Sequence, residues 1–207
     1  TIVIISGPNS SSISEQIKTN TRAIINTLKK GELAEKNRRI RKSINKSTIL
    51  DSLFKIKLYY PSVYRVAAAE NGFVWLRKDT KSGSVNLSVY EAPLKAKTTP
   101  LNIIAIRDSV SQLKIPGPVE GTYMSTDPQY KSVSKQTTLN KLKATETRGL
   151  WEVKKQFMGG PYINFSVIDS TNNRILFFDG FVYSPATEKS SYIFELEAII
   201  KSLKILN

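Results

Sequence analysis

Pro161–Tyr183, PYINFSVIDSTNNRILFFDGFVY, is the stretch that sets the fold. Tyr162–Asp169 and Arg174–Tyr183 are two runs rich in β-branched and aromatic residues, separated by the polar turn Ser170–Asn173, which is the pattern of an antiparallel strand pair. Upstream, Ala144–Val153 supplies a third strand. Downstream, Ser184-Pro185 stops the group before a helix over Ser190–Leu206, where Tyr192, Ile193, Leu196, Ile199, Ile200 and Leu203 share one apolar face.

The first half repeats this order. Strands are expected at Val63–Ala69, Phe73–Arg77 and Ser84–Tyr90, separated by Asn71-Gly72, a hairpin turn signal, and by Lys81–Gly83. Glu91-Ala92-Pro93 closes the group, and a helix over Leu101–Lys114 buries Ile103, Ile106, Val110 and Leu113. Aligning Pro93 with Pro185 and FVWL (Phe73–Leu76) with YINF (Tyr162–Phe165) gives similar offsets. The expected fold is α+β: a two-layer, mainly antiparallel sheet with helices on one face and an internal duplication of a βββα unit. Residues 1–98 and 99–207 form the two halves of one compact domain.

The N-terminal region carries a conflict. Thr1–Ser6 reads as a strand able to pair along an edge, and Ser12 with Glu15 has capping-box spacing. Ile13, Ile17, Thr21, Ile24 and Leu28 mark one buried helical stripe, while Leu33, Ile40 and Ile44 point about 150° away from it. A straight helix over Ser12–Lys46 would be about 50 Å long, against roughly 43 Å for a compact domain of this size. A break near Gly31 is expected, or a second half that leaves the core. Arg38, Arg39, Lys42 and Lys46 make that second half basic and amphipathic, a candidate anionic-surface contact or a solvated outer face. A short helix over Ser47–Lys55 ends before Tyr60-Pro61. Thr1 is not methionine, so the chain reads as a fragment, with room for a signal or lipid anchor before it.

Composition narrows the chemistry. The chain has 207 residues, 40% hydrophobic and 23% charged, as in globular proteins, and no apolar run approaches the roughly 20 residues that span a bilayer. With no cysteine and no histidine, disulfides, thiolate chemistry, Ser-His nucleophiles and the commonest transition-metal ligands are excluded. No metal site, cofactor or catalytic residue is expected. The acids Glu91, Glu120, Glu146, Glu152 and Asp179 are scattered, as on solvated faces or in ion pairs. A net charge of +14 favours anionic partners or reflects a Lys-rich coding bias.

Glycine, proline and aromatic residues cluster at IPGPVEGTYM (Ile115–Met124), RGLW (Arg148–Trp151), FMGGPY (Phe157–Tyr162) and GFVYSP (Gly180–Pro185). The first is a stiff, sharply turning loop. It lacks the Gly-Lys-Ser/Thr ending of a phosphate loop. Together with Arg107-Asp108, ETRGLWEV and the closing FELEAIIKSL, these segments resemble domain-of-unknown-function family 4837, uncharacterised proteins of Bacteroidetes. The resemblance is most specific over Arg107–Leu203 and weaker over Thr1–Pro93; Glu188–Phe194 has fewer basic residues than the family pattern. It implies an envelope location facing the periplasm, with a lipid anchor near the start of many members, and supplies no reaction.

Arg107, Tyr123, Arg148, Trp151 and Glu152 adjoin the stiff loops and mix charge with aromatic faces, so they are the candidate ligand-binding residues. Alternatively Arg148 and Glu152, on one side of a strand, neutralise their neighbours. Three functions fit these readings. The leading one is a non-catalytic envelope interaction or scaffolding protein whose partner is an envelope protein or membrane complex. The others are an anion-binding module for acidic glycan or nucleic acid, and a carboxylate-dependent glycan hydrolase.

Overall fold

The structure, a computed structural model, describes residues 1–95 and 99–206. In chain order the elements are α1 (Ser10–Ile40), α2 (Ile49–Phe54), β1 (Ile56–Lys57), β2 (Arg65–Glu70), β3 (Phe73–Thr80), β4 (Gly83–Pro93), α3 (Pro100–Lys114), β5 (Met124–Thr126), β6 (Val133–Leu139), β7 (Leu142–Val153), β8 (Gly159–Asp169), β9 (Arg174–Tyr183), α4 (Ser190–Ile200) and β10 (Lys204–Ile205). Eight antiparallel strands form one sheet in the order β2-β3-β4-β9-β8-β7-β5, with β6 also pairing β7; β1 and β10 form a separate two-stranded ribbon. The α+β class and the antiparallel sheet are as expected. The β4–β9 ladder, Ser84↔Tyr183 through Pro93↔Arg174, joins the two halves.

Side chains alternate across the sheet, and here both sides are covered. On one face Leu76, Leu87, Phe165, Phe178 and Val182 pack under α1, α2 and α4 through Ile40, Leu50, Phe54, Leu196 and Ile199. On the other, Phe73, Tyr90, Ile175, Phe177 and Phe181 pack under α3 through Ile103, Ile106 and Val110. Helices on one face is therefore corrected to helices on both. The sequence carries the sign of this: β9 is buried from Ile175 to Val182 without a break, as a strand must be when neither side meets water.

The same placement bears on the duplication. The meanders β2-β3-β4 and β7-β8-β9 meet antiparallel at β4 and β9, so a rotation relating them runs normal to the sheet and would leave both helices on one face. With α3 and α4 on opposite faces, the strand meander recurs and the βββα unit does not. Four strands, β1, β5, β6 and β10, escaped the sequence reading. β6, VSKQTTL, is polar because one side faces solvent, and β1, β5 and β10 are only two or three residues long.

The N-terminal expectations reverse. α1 is one continuous helix of 31 residues, about 46 Å long, with no break at Gly31. Its cap is Asn9, whose Oδ1 accepts from the Ser12 amide at 2.9 Å. The half that packs is the second: Leu33 and Ile40 reach the core, Lys36 donates to Ser191 Oγ at 2.7 Å, and Lys29 pairs with Glu197 on α4 at 3.0 Å. The first half stands clear of the sheet, with Ile17 44%, Ile25 57% and Leu28 43% exposed. Thr1–Ser6 forms no strand. It runs back along the helix, and a Cβ at Gly31 would fall 1.7 Å from Thr1 Oγ1.

Glu197 anchors this side. Its side chain is fully buried, within ion-pair distance of Lys29, Arg148 and Lys201, and so ties α1, α4 and β7 together. Burial pushes its carboxyl up, but Lys201, Arg148 and Lys29 outweigh that and hold it at about 2.

The division of α1 is testable by urea unfolding. Ile17→Ser should change the unfolding free energy by no more than about 0.5 kcal/mol, whereas Ile40→Ala should lower it by about 2–4 kcal/mol. Equal losses at both positions would mean that the first half packs on the body.

Candidate functional site

A charge fixes α3 to its face of the sheet. Arg107, 1% exposed, donates from Nε to Asp179 Oδ1 of β9 at 2.9 Å and from a guanidinium nitrogen to Thr126 Oγ1 of β5 at 3.0 Å. Its guanidinium lies 4.0 Å from the centre of the Tyr162 ring. Asn164 Nδ2 donates to the same Asp179 oxygen at 3.2 Å. The next residue, Asp108, accepts from the Thr126 amide and hydroxyl at 2.8 and 2.7 Å. Burial alone would lower the arginine pKa, but Asp179 and the surrounding groups leave it above its ordinary value, so Arg107 is charged at any ordinary pH.

This attachment positions the stiff loop that follows α3. Between Ile115 and Met124 the chain folds back on itself: Gly117 N–H donates to Thr122 C=O at 2.7 Å, Pro116 and Tyr123 form an antiparallel bridge, and Gly121 takes φ +77°. Only glycine adopts that last conformation without strain. The loop brings Ile115, Pro116 and Met124 against the sheet. A second tight loop, closed by Val153 N–H to Met158 C=O at 2.9 Å, turns Met158 inward and leaves Phe157 fully exposed.

Between these loops lies a slot of about 50 Å³, lined by Trp75, Arg77, Ser84, Asn86, Ile115, Pro116, Met124, Trp151, Val153, Met158, Phe181 and Tyr183. All four Gly/Pro/aromatic segments contribute to it. Trp151 packs edge-on against Phe181 and Tyr183, with centroids 5.7 and 6.4 Å away, and Trp75 lies 6.4 Å from Phe181. The indoles are held by their N–H groups: Trp151 donates to Val182 C=O at 3.2 Å and Trp75 to Asn86 Oδ1 at 3.1 Å. Gly160 sits opposite Trp151 in the ladder, where a Cβ would come 2.0 Å from Val182 O. That close approach gives the Gly-Gly pair its role.

The slot's lining has aromatic faces, an amide, two hydroxyls and one cation, and no acid; Arg77 is held by Asp79 at 2.7 Å. Such a set suits the recognition of apolar groups. Among the described residues no group of three or more His, Cys, Asp or Glu could hold a metal ion.

The five candidate ligand residues do not share one surface. Trp151 lines the slot, Tyr123 is half-buried in the loop beside it, and Arg107 is the pin beneath α3. Arg148 and Glu152 are on the other face. Arg148 donates to Glu146 at 2.7 Å and also bonds Glu197, which makes it part of a structural network. Period-two alternation places Trp151 and Glu152 back to back. Among the slot residues that sequence reasoning missed are Trp75, Arg77, Ser84, Asn86, Met158, Phe181 and Tyr183. GFVYSP had flagged the last two as a motif, and their spacing of two already put them on one face.

The basic candidates divide as well. Arg38 and Arg39 both bond Glu35, at 2.7 Å each from Nε, and this holds the Glu35 carboxyl at about 2. Lys42 and Lys46 are exposed but lie past the end of α1, because the chain leaves the helix to bridge Ile44 with Pro61. The four do not form one helical face.

The family described as "Domain of unknown function (DUF4837)" matches residues 43–202. No curated protein matches the chain. Among solved structures, it is similar to a Bacteroides thetaiotaomicron VPI-5482 protein (12% identity, TM-score 0.38, covering 74% of this chain and 46% of that one). It is also similar to the Ran-binding protein Mog1p of Saccharomyces cerevisiae (7% identity, TM-score 0.46, 74% and 91% covered). The chain spans about half the length of the Bacteroides protein.

Gly160→Ala should lower stability by about 1–3 kcal/mol and change the tryptophan emission, because the added methyl displaces Val182 from the Trp151 indole. An unchanged urea midpoint with unchanged emission would contradict that contact.

Proposed function

The chain belongs to the DUF4837 family, and from that footing we propose a non-catalytic interaction module of the cell envelope, whose recognition element is the aromatic slot between the Ile115–Met124 and Val153–Met158 loops. The observation that carries the reading is convergence: four segments far apart in sequence, on which the resemblance to the family rests, line one slot. The slot admits one small apolar side chain from a partner protein. Around it the same loops expose Val119, 51%, and Phe157, 110%, giving apolar contact area beside a pocket, as interface cores have.

Other features support binding over chemistry. The buried carboxylates are each engaged by a cation: Asp179 by Arg107, Asp169 by Arg174, Glu146 by Arg148, and Glu197 by three cations. A carboxylate held at about 2, like Glu197, is no general acid at neutral pH. The envelope setting, with a lipid anchor and a membrane-complex partner, comes from the family resemblance.

The test is site-specific photo-crosslinking in the native envelope, with the photoreactive residue at Phe157 or Val119. The reading predicts one discrete protein adduct from both positions, none from Ile17 on the free half of α1, and loss of the adduct when Met158→Trp fills the slot. Adducts that survive Met158→Trp, or that form equally from Ile17, would overturn it.

A further inference from the structure

On the opposite face of the sheet, the β1–β10 ribbon carries a local conflict. Its register sets Lys57 directly opposite Lys204, and like charges facing each other across an antiparallel pair are destabilising. Instead of diverging, both ammonium groups gather on one ring, 5.6 and 5.4 Å from the centre of Tyr59. Lys204 first, and Lys57 after it, draw the Tyr59 hydroxyl below its ordinary pKa against the opposing effect of burial. Among the described residues no carboxylate lies in ion-pair range of Arg41, Lys57 or Lys204. Two strands, β1 and β10, thus bring positive charge to a single point without a counter-charge among the described residues.

Beside that point opens a cleft of about 620 Å³, lined by Tyr59 and Lys57 together with apolar Leu50, Leu58 and Leu206. The size suits a small-molecule site. Tyr60, 2% exposed, lines the same cleft, and its hydroxyl has no partner within the protein. Asp51 is the acid among the lining residues, in the first turn of α2.

We propose that this cleft binds a phosphate-bearing amphiphile, its phosphate seated between Lys57 and Lys204 beside Tyr59 and its apolar portion on Leu50, Leu58 and Leu206. The phosphate belongs to a lipid head group or to a soluble phosphomonoester, and the site is independent of the aromatic slot.

Two probes distinguish the sources. Inorganic phosphate titrated into labelled protein should shift the amide resonances of Lys57, Tyr59 and Lys204. Vesicles of phosphatidylcholine containing phosphatidylglycerol should co-sediment the protein, and pure phosphatidylcholine should not, if the source is a lipid; phosphate shifts alone assign a soluble ligand. Lys57→Gln with Lys204→Gln should weaken the response by about tenfold while leaving the low-salt urea midpoint unchanged or higher, since the repulsion is relieved. Arg38→Gln with Arg39→Gln removes the same net charge and should weaken nothing. Silence to both probes, equal weakening by the Arg38 and Arg39 changes, or a less stable Lys57 and Lys204 variant would each overturn the proposal.

Discussion

The Arg107–Asp179 ion pair is the constraint around which one side of the molecule is organised. Asp179 sits at the middle of β9, in a sheet covered on both faces, with its side chain 1% exposed. An unpaired carboxylate at that depth would be unfavourable by several kcal/mol. Its partner has to come from the layer above, which here means α3. Once Arg107 is seated, Asp108 follows onto β5 and the helix end delivers Ile115 and Pro116 to the wall of the slot. The charge pair and the aromatic slot are in this sense one construction, the first fixing where the second can form.

The other face is organised by a comparable device with the signs reversed. A single buried carboxylate, Glu197, gathers Lys29, Arg148 and Lys201 from three elements. Both networks form where a charged side chain points into a covered layer. They differ in what they free. The α3 network leaves a recessed aromatic slot, whereas the Glu197 network holds the second half of α1 and leaves the first half projecting from the sheet, with Ile17, Ile25 and Leu28 exposed.

Much of this architecture was legible in the sequence, and the exceptions have physical reasons. The six main strands, α3 and α4 followed from the alternation and spacing of apolar residues. The second covered face was written in RILFFDGFVY, which does not alternate as a strand with one wet side would. The two stripes of α1 were visible as well, but not which one the core would take, because that depends on where Glu197 and Ser191 stand in α4. The slot was half legible. Its Gly/Pro/aromatic segments stood out, but Trp75 and Asn86 come from a strand pair with no unusual composition. Arg107 looked like a ligand contact because sequence shows an arginine beside an aromatic-rich loop and does not show Asp179 beneath it.

Backbone hydrogen exchange in Asp179→Asn protein, compared residue by residue with the unaltered chain, tests this account most directly. If the pair positions the slot, protection should fall selectively at α3, at Ile115 and at Met124–Thr126, while Leu87, Phe165 and α4 retain theirs. Uniform loss across the whole molecule, or undiminished protection at Met124–Thr126, would contradict it.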